Sequence, residues 1–156
     1  MARELNVALL GFGLAGSVFH APLVACTPGL HLHTVVSSDP ARVASAYPQA
    51  RVLADPQAAF ADQDIDLVVV ATPNHTHAPL ALAALAAGKH VVVDKPFALD
   101  LAEARAMIEA ADRAGRRLSV FHNRRWDADF LALRALLAEG RLGEVAELHS
   151  HLDRFR

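Results

Sequence analysis

Gly11, Gly13 and Gly16 stand in a G-x-G-x-x-G spacing, with Phe12, Leu14 and Ala15 between them, directly after the apolar run Leu5–Leu10. A loop of this kind joins a buried strand to a helix. The first glycine allows a tight turn, the second lets backbone N–H groups approach a ligand without an intervening Cβ, and the third lets the helix pack closely on the sheet. The helix N-terminus adds partial positive charge aimed at the same point. This arrangement suits the binding of a pyrophosphate. The strand before the loop and the βαβ unit after it separate it from an ordinary glycine-rich turn. A second group ends another apolar run, where His90–Val93 leads into Asp94-Lys95-Pro96. The carboxyl end of a parallel strand faces the ligand crevice. Lys95 there can hydrogen-bond a substrate hydroxyl or a ribose, and its charge would stabilise a developing alkoxide. The competing role for a lysine is a solvated surface group, which an apolar strand leading to the crevice disfavours.

A dinucleotide also brings ribose hydroxyls. A fold that selects NAD places an acid at the end of its second strand, about 20 residues beyond the glycines. That end reads Ser37-Ser38-Asp39-Pro40. In one reading Asp39 holds the ribose hydroxyls and repels a 2′-phosphate. In the other, Asp39 caps the next helix, Ser37 and Ser38 hydrogen-bond a 2′-phosphate, and Arg42 supplies charge. The residues support both, so the cofactor is NAD(P), with NAD and NADP left open.

The hydrophobic pattern supplies the elements that must position these groups. Helical material starts near Gly13, and Pro22 predicts a break near His20 and Ala21 followed by a second short helix. Residues 30–37 read as the second strand. Asp39-Pro40 and Asp55-Pro56 each combine an N-cap with proline at the first helical position, opening helices to about Tyr47 and over 57–61. An apolar strand at 66–71 leads through the turn Thr72-Pro73-Asn74 into a helix at 76–87, with Gly88 placed for its C-terminal cap. After the strand His90–Val93, Asp100-Leu101-Ala102-Glu103 matches a capping box that opens a helix to about Ala114, closed by Gly115. A strand at 118–121 precedes a helix at 127–139, with Leu131, Leu133, Leu136 and Leu137 mainly inward. Strands alternating with helices of this length predict an α/β fold, a Rossmann-type doubly wound parallel sheet with right-handed crossovers.

A chain of 156 residues is long enough for one domain with a real core, and its 53% hydrophobic content, rich in Ala, Val and Leu, suits a parallel sheet under Ala-rich helices. The formal net charge of −2 argues against nucleic acid or an anionic membrane as partner. Cys26 is the single cysteine, so no internal disulfide forms, and the N-terminus lacks the layout of a signal peptide. A reducing, cytoplasmic setting fits. The apolar stretches at 65–71 and 78–87 are too short to span a bilayer. Three of the histidine pairs, His31/His33, His75/His77 and His149/His151, have an i, i+2 spacing that a metal could use on a strand. A zinc site needs three or four convergent ligands, and no native metal is expected. His20 follows the glycine loop on the first helix, where it could approach a ligand, with packing or exposure the expected role. Lys89 is expected at a strand start with a structural role.

The glycine loop, Thr72-Pro73-Asn74-His75-Thr76-His77, Gly88-Lys89-His90-Val91, Asp94-Lys95-Pro96 and His122-Asn123-Arg124-Arg125-Trp126-Asp127 occur in the order of a known family. Together they resemble the N-terminal half of the Gfo/Idh/MocA oxidoreductases, and within it the scyllo-inositol dehydrogenase (NADP) branch, across essentially the whole chain. The family usually has Glu-Lys-Pro, whereas this chain has Asp94, one methylene shorter. The resemblance implies that Asp94 binds the cofactor ribose and that Lys95 is the catalytic lysine. It implies that Thr72, Pro73, Asn74 and His77 line the nucleotide crevice, and that His122 and Asn123 lie near nicotinamide or substrate. Arg124, Arg125 and Trp126 either share that role or anchor their loop.

The resemblance also implies a second α/β domain that supplies the substrate pocket and proton-transfer residues. Residues 144–156 are expected to be its first strand, after a Rossmann domain at 1–143. The chain then reads as part of a longer enzyme acting on a sugar, inositol or related polyol, with little turnover alone. An unaccompanied terminal strand is expected to pair with another copy, giving a homo-oligomer, or to fray. Two other classes of function share the glycine loop: a non-catalytic NAD(P)-sensing module and an interaction domain with a vestigial loop. Asp94-Lys95 at a strand end favours the enzyme.

Overall fold

The structure is a computed structural model that describes residues 3–151 and residue 153. It divides into two units, Met1–Phe121 and His122–Arg156. Among the described residues the first unit holds six strands: β1 (Leu5–Leu10), β2 (Leu30–Val36), β3 (Arg51–Leu53), β4 (Leu67–Val70), β5 (His90–Val93) and β6 (Leu118–Val120). They form one sheet in the order β3-β2-β1-β4-β5-β6. Every pairing is parallel, and the β1–β2 register shifts between Val7 and Ala8. This is the Rossmann-type α/β fold expected from the alternation of apolar runs and helices. The order reverses between β1 and β4, the point where such sheets bind ligands. β3 is an element that the hydrophobic pattern did not disclose. With three residues it is too short to carry a period.

Parallel strands buried on both sides need helices on both faces. α1 (Ala21–Cys26) and α2 (Pro40–Ala46) contribute Ala21, Val24 and Val43 to one face, against Val7, Leu9, Leu32 and Val35. On the other face α3 (Pro56–Ala61), α4 (His77–Ala86) and α5 (Leu101–Ala114) pack Phe60, Leu85 and Met107 against Ala8, Leu10, Val70 and Val93. Successive residues of β1 therefore serve opposite layers, as the two-residue period of a strand requires. Each fully buried Val or Leu contributes about 1.5–3 kcal/mol. The helix starts are fixed as their sequences predict. Asp39 accepts the N–H of Arg42, Asp55 that of Gln57 and Asp100 that of Glu103. Gly115 closes α5 in the left-handed conformation at φ 61°.

The second unit contains a 3-10 turn, Asn123–Trp126, and α6 (Ala128–Ala138). Two expectations fail here. No residue of α6 is buried, so the predicted inward Leu131, Leu133, Leu136 and Leu137 find no core of their own: Leu133 and Leu136 are half-buried, Leu131 and Leu137 exposed. The strand expected over 144–156 is also absent among the described residues, because 145–151 carry no regular structure. A strand needs a neighbour for its backbone groups, and the described part of this unit offers none. Positions 152 and 154–156 of that expected strand lie outside the described residues. Among the described residues no helix is long and apolar enough to cross a membrane.

Lys89 takes the structural place expected of it. It is 4% exposed at the amino end of β5, and its Nζ donates to Asp62 O at 2.6 Å and Ile65 O at 3.0 Å. Replacing it by methionine keeps the stem but strands two carbonyls. Lys89→Met is expected to lower stability by about 1–3 kcal/mol, read as a lower urea midpoint at unchanged slope. An unchanged midpoint would show that these bonds contribute nothing net.

Candidate dinucleotide-binding crevice

Backbone hydrogen bonds set the carboxyl ends of the strands in a row. Ser37 donates to Leu53 O, Gly11 to Val36 O, Ala71 to Leu10 O, Asp94 to Val70 O and Phe121 to Val93 O, each at 2.9 Å. The residue that leaves each strand is thereby fixed to its neighbour. The glycine loop, Ser37, Thr72 and Asp94 all depart from this edge.

The three glycines of the loop differ in what holds them. Gly11 has φ +93°, and a Cβ there would lie 2.6 Å from Ala71 O. A Cβ on Gly16 would overlap the Gly11 carbonyl oxygen. Both are glycines because the backbone passes too closely for anything else. Gly13 has open space around the position of a Cβ, so packing does not require glycine there. That open space would admit an approaching phosphate, and the residues fit a dinucleotide in this respect. The Gly13 carbonyl accepts the Ser17 N–H at 2.9 Å and the Ser17 hydroxyl at 2.7 Å. Leu14 is exposed and Ala15 half-buried. The Phe12 side chain belongs to the core and meets Tyr47 edge-on at 6.0 Å. It can therefore offer a ligand only its backbone.

At the end of β2, Asp39 Oδ1 accepts the Arg42 N–H at 3.0 Å, and the Asp39 N–H donates to Ser37 Oγ at 3.1 Å. The acid is engaged as a helix cap. Arg42 leans toward the glycine loop instead: Nη2 donates to Ser17 Oγ at 3.1 Å, and its guanidinium lies 5.6 Å from the Phe12 ring centre. Ser38 is exposed.

After β4, the hydroxyls of Thr72 and Thr76 are 2.6 Å apart, and Thr76 Oγ1 donates to Pro73 O at 2.6 Å. Asn74 opens a 3-10 turn, and it and Pro73 are exposed. His77 is placed differently from what the sequence suggests. It is 1% exposed, with Nδ1 2.8 Å from Pro96 O and Nε2 2.9 Å from Thr72 O. It bridges the loops after β4 and β5 from within rather than lining the crevice with its own ring. Asp94 is buried and its Oδ1 accepts the Lys95 N–H at 2.8 Å. Lys95 is exposed and joined to Pro96 by a cis peptide bond.

His20 was the residue whose place the sequence did not disclose. Ala21 N–H bonds to Gly16 O, a five-residue step that makes Gly16–His20 a π-helical turn. His20 is 3% exposed, with its ring 4.2 Å from that of Phe121 and its Nε2 3.8 Å from Asp94 Oδ1. Burial pushes its pKa down, and the Asp94 carboxylate pulls it partly back. The available signal was Pro22, which has no N–H for the preceding turn and so favours a widened one.

His122 and Asn123 belong to the second unit, at the start of its 3-10 turn. His122 O accepts the Arg125 N–H at 3.2 Å. Arg124 pairs with Asp127 at 2.8 Å, the loop-anchoring alternative for that residue, and Trp126 is exposed. His31 and His33 are engaged with Asn6 Oδ1 at 3.0 Å and Thr34 Oγ1 at 2.9 Å.

A glycine loop with its middle position open, at the switch point of a parallel sheet, defines a nucleotide-binding α/β domain. The oxidoreductase family with an NAD-binding Rossmann fold, Gfo/Idh/MocA, matches residues 5–122, and the chain belongs to that family. It is 56% identical to the uncharacterized oxidoreductase YdgJ of Escherichia coli, over 100% of this chain and 45% of that protein. It is 38% identical to the scyllo-inositol 2-dehydrogenase (NADP(+)) IolW of Bacillus subtilis, over 97% of this chain and 42% of that protein. The solved structure of YPO2259 from Yersinia pestis superposes with a TM-score of 0.97 at 58% identity, covering 100% of this chain and 45% of that one. The chain thus spans less than half the length of these relatives.

The contrast between Gly13 and Gly16 is testable. Gly13→Ala is expected to leave the thermal midpoint unchanged and to weaken NADPH binding at least about tenfold, some 1.4 kcal/mol. Gly16→Ala is expected to destabilise the fold by about 1–3 kcal/mol through overpacking. Equal binding by wild type and Gly13→Ala, measured by calorimetry, would remove the phosphate from this loop.

Proposed function

We propose that this chain forms the cofactor-holding part of an oxidoreductase that interconverts alcohol and carbonyl groups on an inositol, sugar or related polyol, and that its cofactor is NADPH. The observation that carries the reading is the open space over Gly13 at the switch point of the sheet. The backbone N–H groups of 12–16 face the pyrophosphate, since that of Gly11 is held by Val36 O. Asp94 holds the nicotinamide-side ribose, and Thr72, Pro73 and Asn74 border the same crevice. Lys95 meets the substrate hydroxyl, where its ammonium favours the alkoxide form. His122 and Asn123 are assigned to the nicotinamide or substrate by family resemblance. The cofactor, when bound, supplies the hydride chemistry. The name of the Bacillus subtilis relative supports the substrate class.

Two contacts support NADPH over NADH. Asp39 is engaged in capping α2, and a carboxylate so engaged is less available to ribose hydroxyls. Arg42 lies beside the loop with its charge unmatched by Asp39. With Ser37 and Ser38 it forms a cationic, hydroxyl-bearing corner suited to a 2′-phosphate.

The substrate pocket and the proton acceptor are proposed to reside in the length of the relatives that this chain does not span, with residues 144–156 leading into that second domain. Apolar side chains left open on the second unit, Trp126, Phe130, Leu142 and Leu148, support its burial against further protein. A homo-oligomer is proposed on the same ground.

Fluorescence titration of the chain should give a lower Kd for NADPH than for NADH by about tenfold or more, as a charge-assisted contact would supply. Arg42→Ala should erase that difference. Equal affinities, or a preference for NADH, would contradict the 2′-phosphate assignment. With NADP and a panel of inositols, the chain alone should turn over near background. Turnover matching a full-length relative would contradict the division of labour.

A further inference from the structure

Among the described residues, His20 Nε2 is the one buried side-chain polar atom with no hydrogen-bond partner. Leaving such a group unpaired is costly, because burial removes its water without supplying a partner. Its surroundings are specific. His20 and Gly16 are the two buried residues of the π-helical turn. The imidazole rests on Phe121, and its Nε2 faces Asp94 Oδ1 across 3.8 Å, which is too long for a hydrogen bond. That same oxygen already accepts the Lys95 N–H. Both protein groups therefore address Oδ1, and Oδ2 takes no protein hydrogen bond among the described residues. A π-helical turn is an uncommon feature that concentrates at functional sites. Here the helix that begins at the glycine loop carries a ring to the back of the carboxylate at the end of β5.

We propose that His20 is a positioning residue for the cofactor site: Nε2 closes onto Asp94 Oδ1 as the dinucleotide binds and holds the carboxylate so that Oδ2 meets the hydroxyls of the nicotinamide-side ribose. The inference rests on the assignment of Asp94 to that ribose. A ring shift of less than about 1 Å brings the pair into hydrogen-bond range. The ring donates as the neutral Nε2–H tautomer, consistent with burial disfavouring its charged form. Because Asp94 is shorter than the glutamate usual in the family, its carboxylate has less reach of its own, and a donor behind it fixes where the remaining oxygen points. The pyrophosphate loop and the ribose carboxylate are then joined through one short helical turn.

The test compares two ligands by calorimetry. NADPH carries the nicotinamide-side ribose, and 2′,5′-ADP carries only the adenosine half. His20→Ala is expected to weaken NADPH at least about tenfold while leaving 2′,5′-ADP within about twofold. His20→Gln, whose amide reaches toward the Nε2 position, should retain NADPH within about threefold. Asp94→Asn should cost little more in the His20→Ala background than His20→Ala alone, since the two act as one unit. Unchanged NADPH binding by His20→Ala, or equal weakening of both ligands, would overturn the proposal. If the wild type binds neither ligand, the cofactor assignment falls and this inference with it. If the wild type binds and the variants do not differ, only the role of His20 falls. Should His20→Ala not fold, imidazole NMR of the wild type decides: the His20 Nε2–H signal should move with NADPH and not with 2′,5′-ADP. A signal that ignores both ligands would overturn the proposal.

Discussion

β1 and β4 end side by side, and the chain leaving β1 must turn within the space between the Ala71 carbonyl and the first turn of the following helix. A side chain at Gly11 or Gly16 would close that space. The absence of two Cβ atoms therefore lets the turn form at all. The backbone bond from Ala71 to Leu10 holds the two strand ends together while it does so. Everything proposed for this protein hangs from that turn. It starts the following helical turn and carries His20 and Arg42's partner Ser17 to their places. Gly13 differs from its neighbours because nothing in the protein presses on it. That difference is the observation on which the proposed phosphate site rests.

The fold was legible because its determinants are local. Apolar runs ended by glycine, Asp-Pro helix starts and the box at Asp100 each act over a few residues, and they appear where the sequence places them. β3 escaped because its three residues are held by pairing with β2 rather than by their own pattern. The leucines of α6 and the expected strand beyond 143 failed for a related reason. Periodicity says which face is apolar, not what covers it, and the described part of the second unit supplies neither a core nor a neighbouring strand.

Of the expected site residues, the glycine loop and Asp94 leave the sheet at the edge where the sequence places them, whereas two histidines depart from what their spacing suggests. His77 has the spacing of a crevice residue, yet its ring is enclosed between the carbonyls of Thr72 and Pro96. His20 has the spacing of a packing residue, yet it confronts Asp94. Helical wheels assume a regular turn, and Pro22 makes this one irregular. Asp39 shows the same limit in another form. Its type fits either a ribose or a helix N-terminus, and only the geometry of its own loop shows that the cap has claimed it. Membership of the family fixes the cofactor class and does not fix the substrate.

The central claim is that the phosphates of a nicotinamide dinucleotide lie over the backbone between Gly11 and Gly16. A crystal structure of the chain grown with NADPH tests it directly. The account predicts pyrophosphate density within hydrogen-bond range of the N–H groups in that loop, at the edge where Thr72 and Asp94 leave the sheet. Density for the dinucleotide anywhere else on the molecule, with the loop left bare, would contradict it.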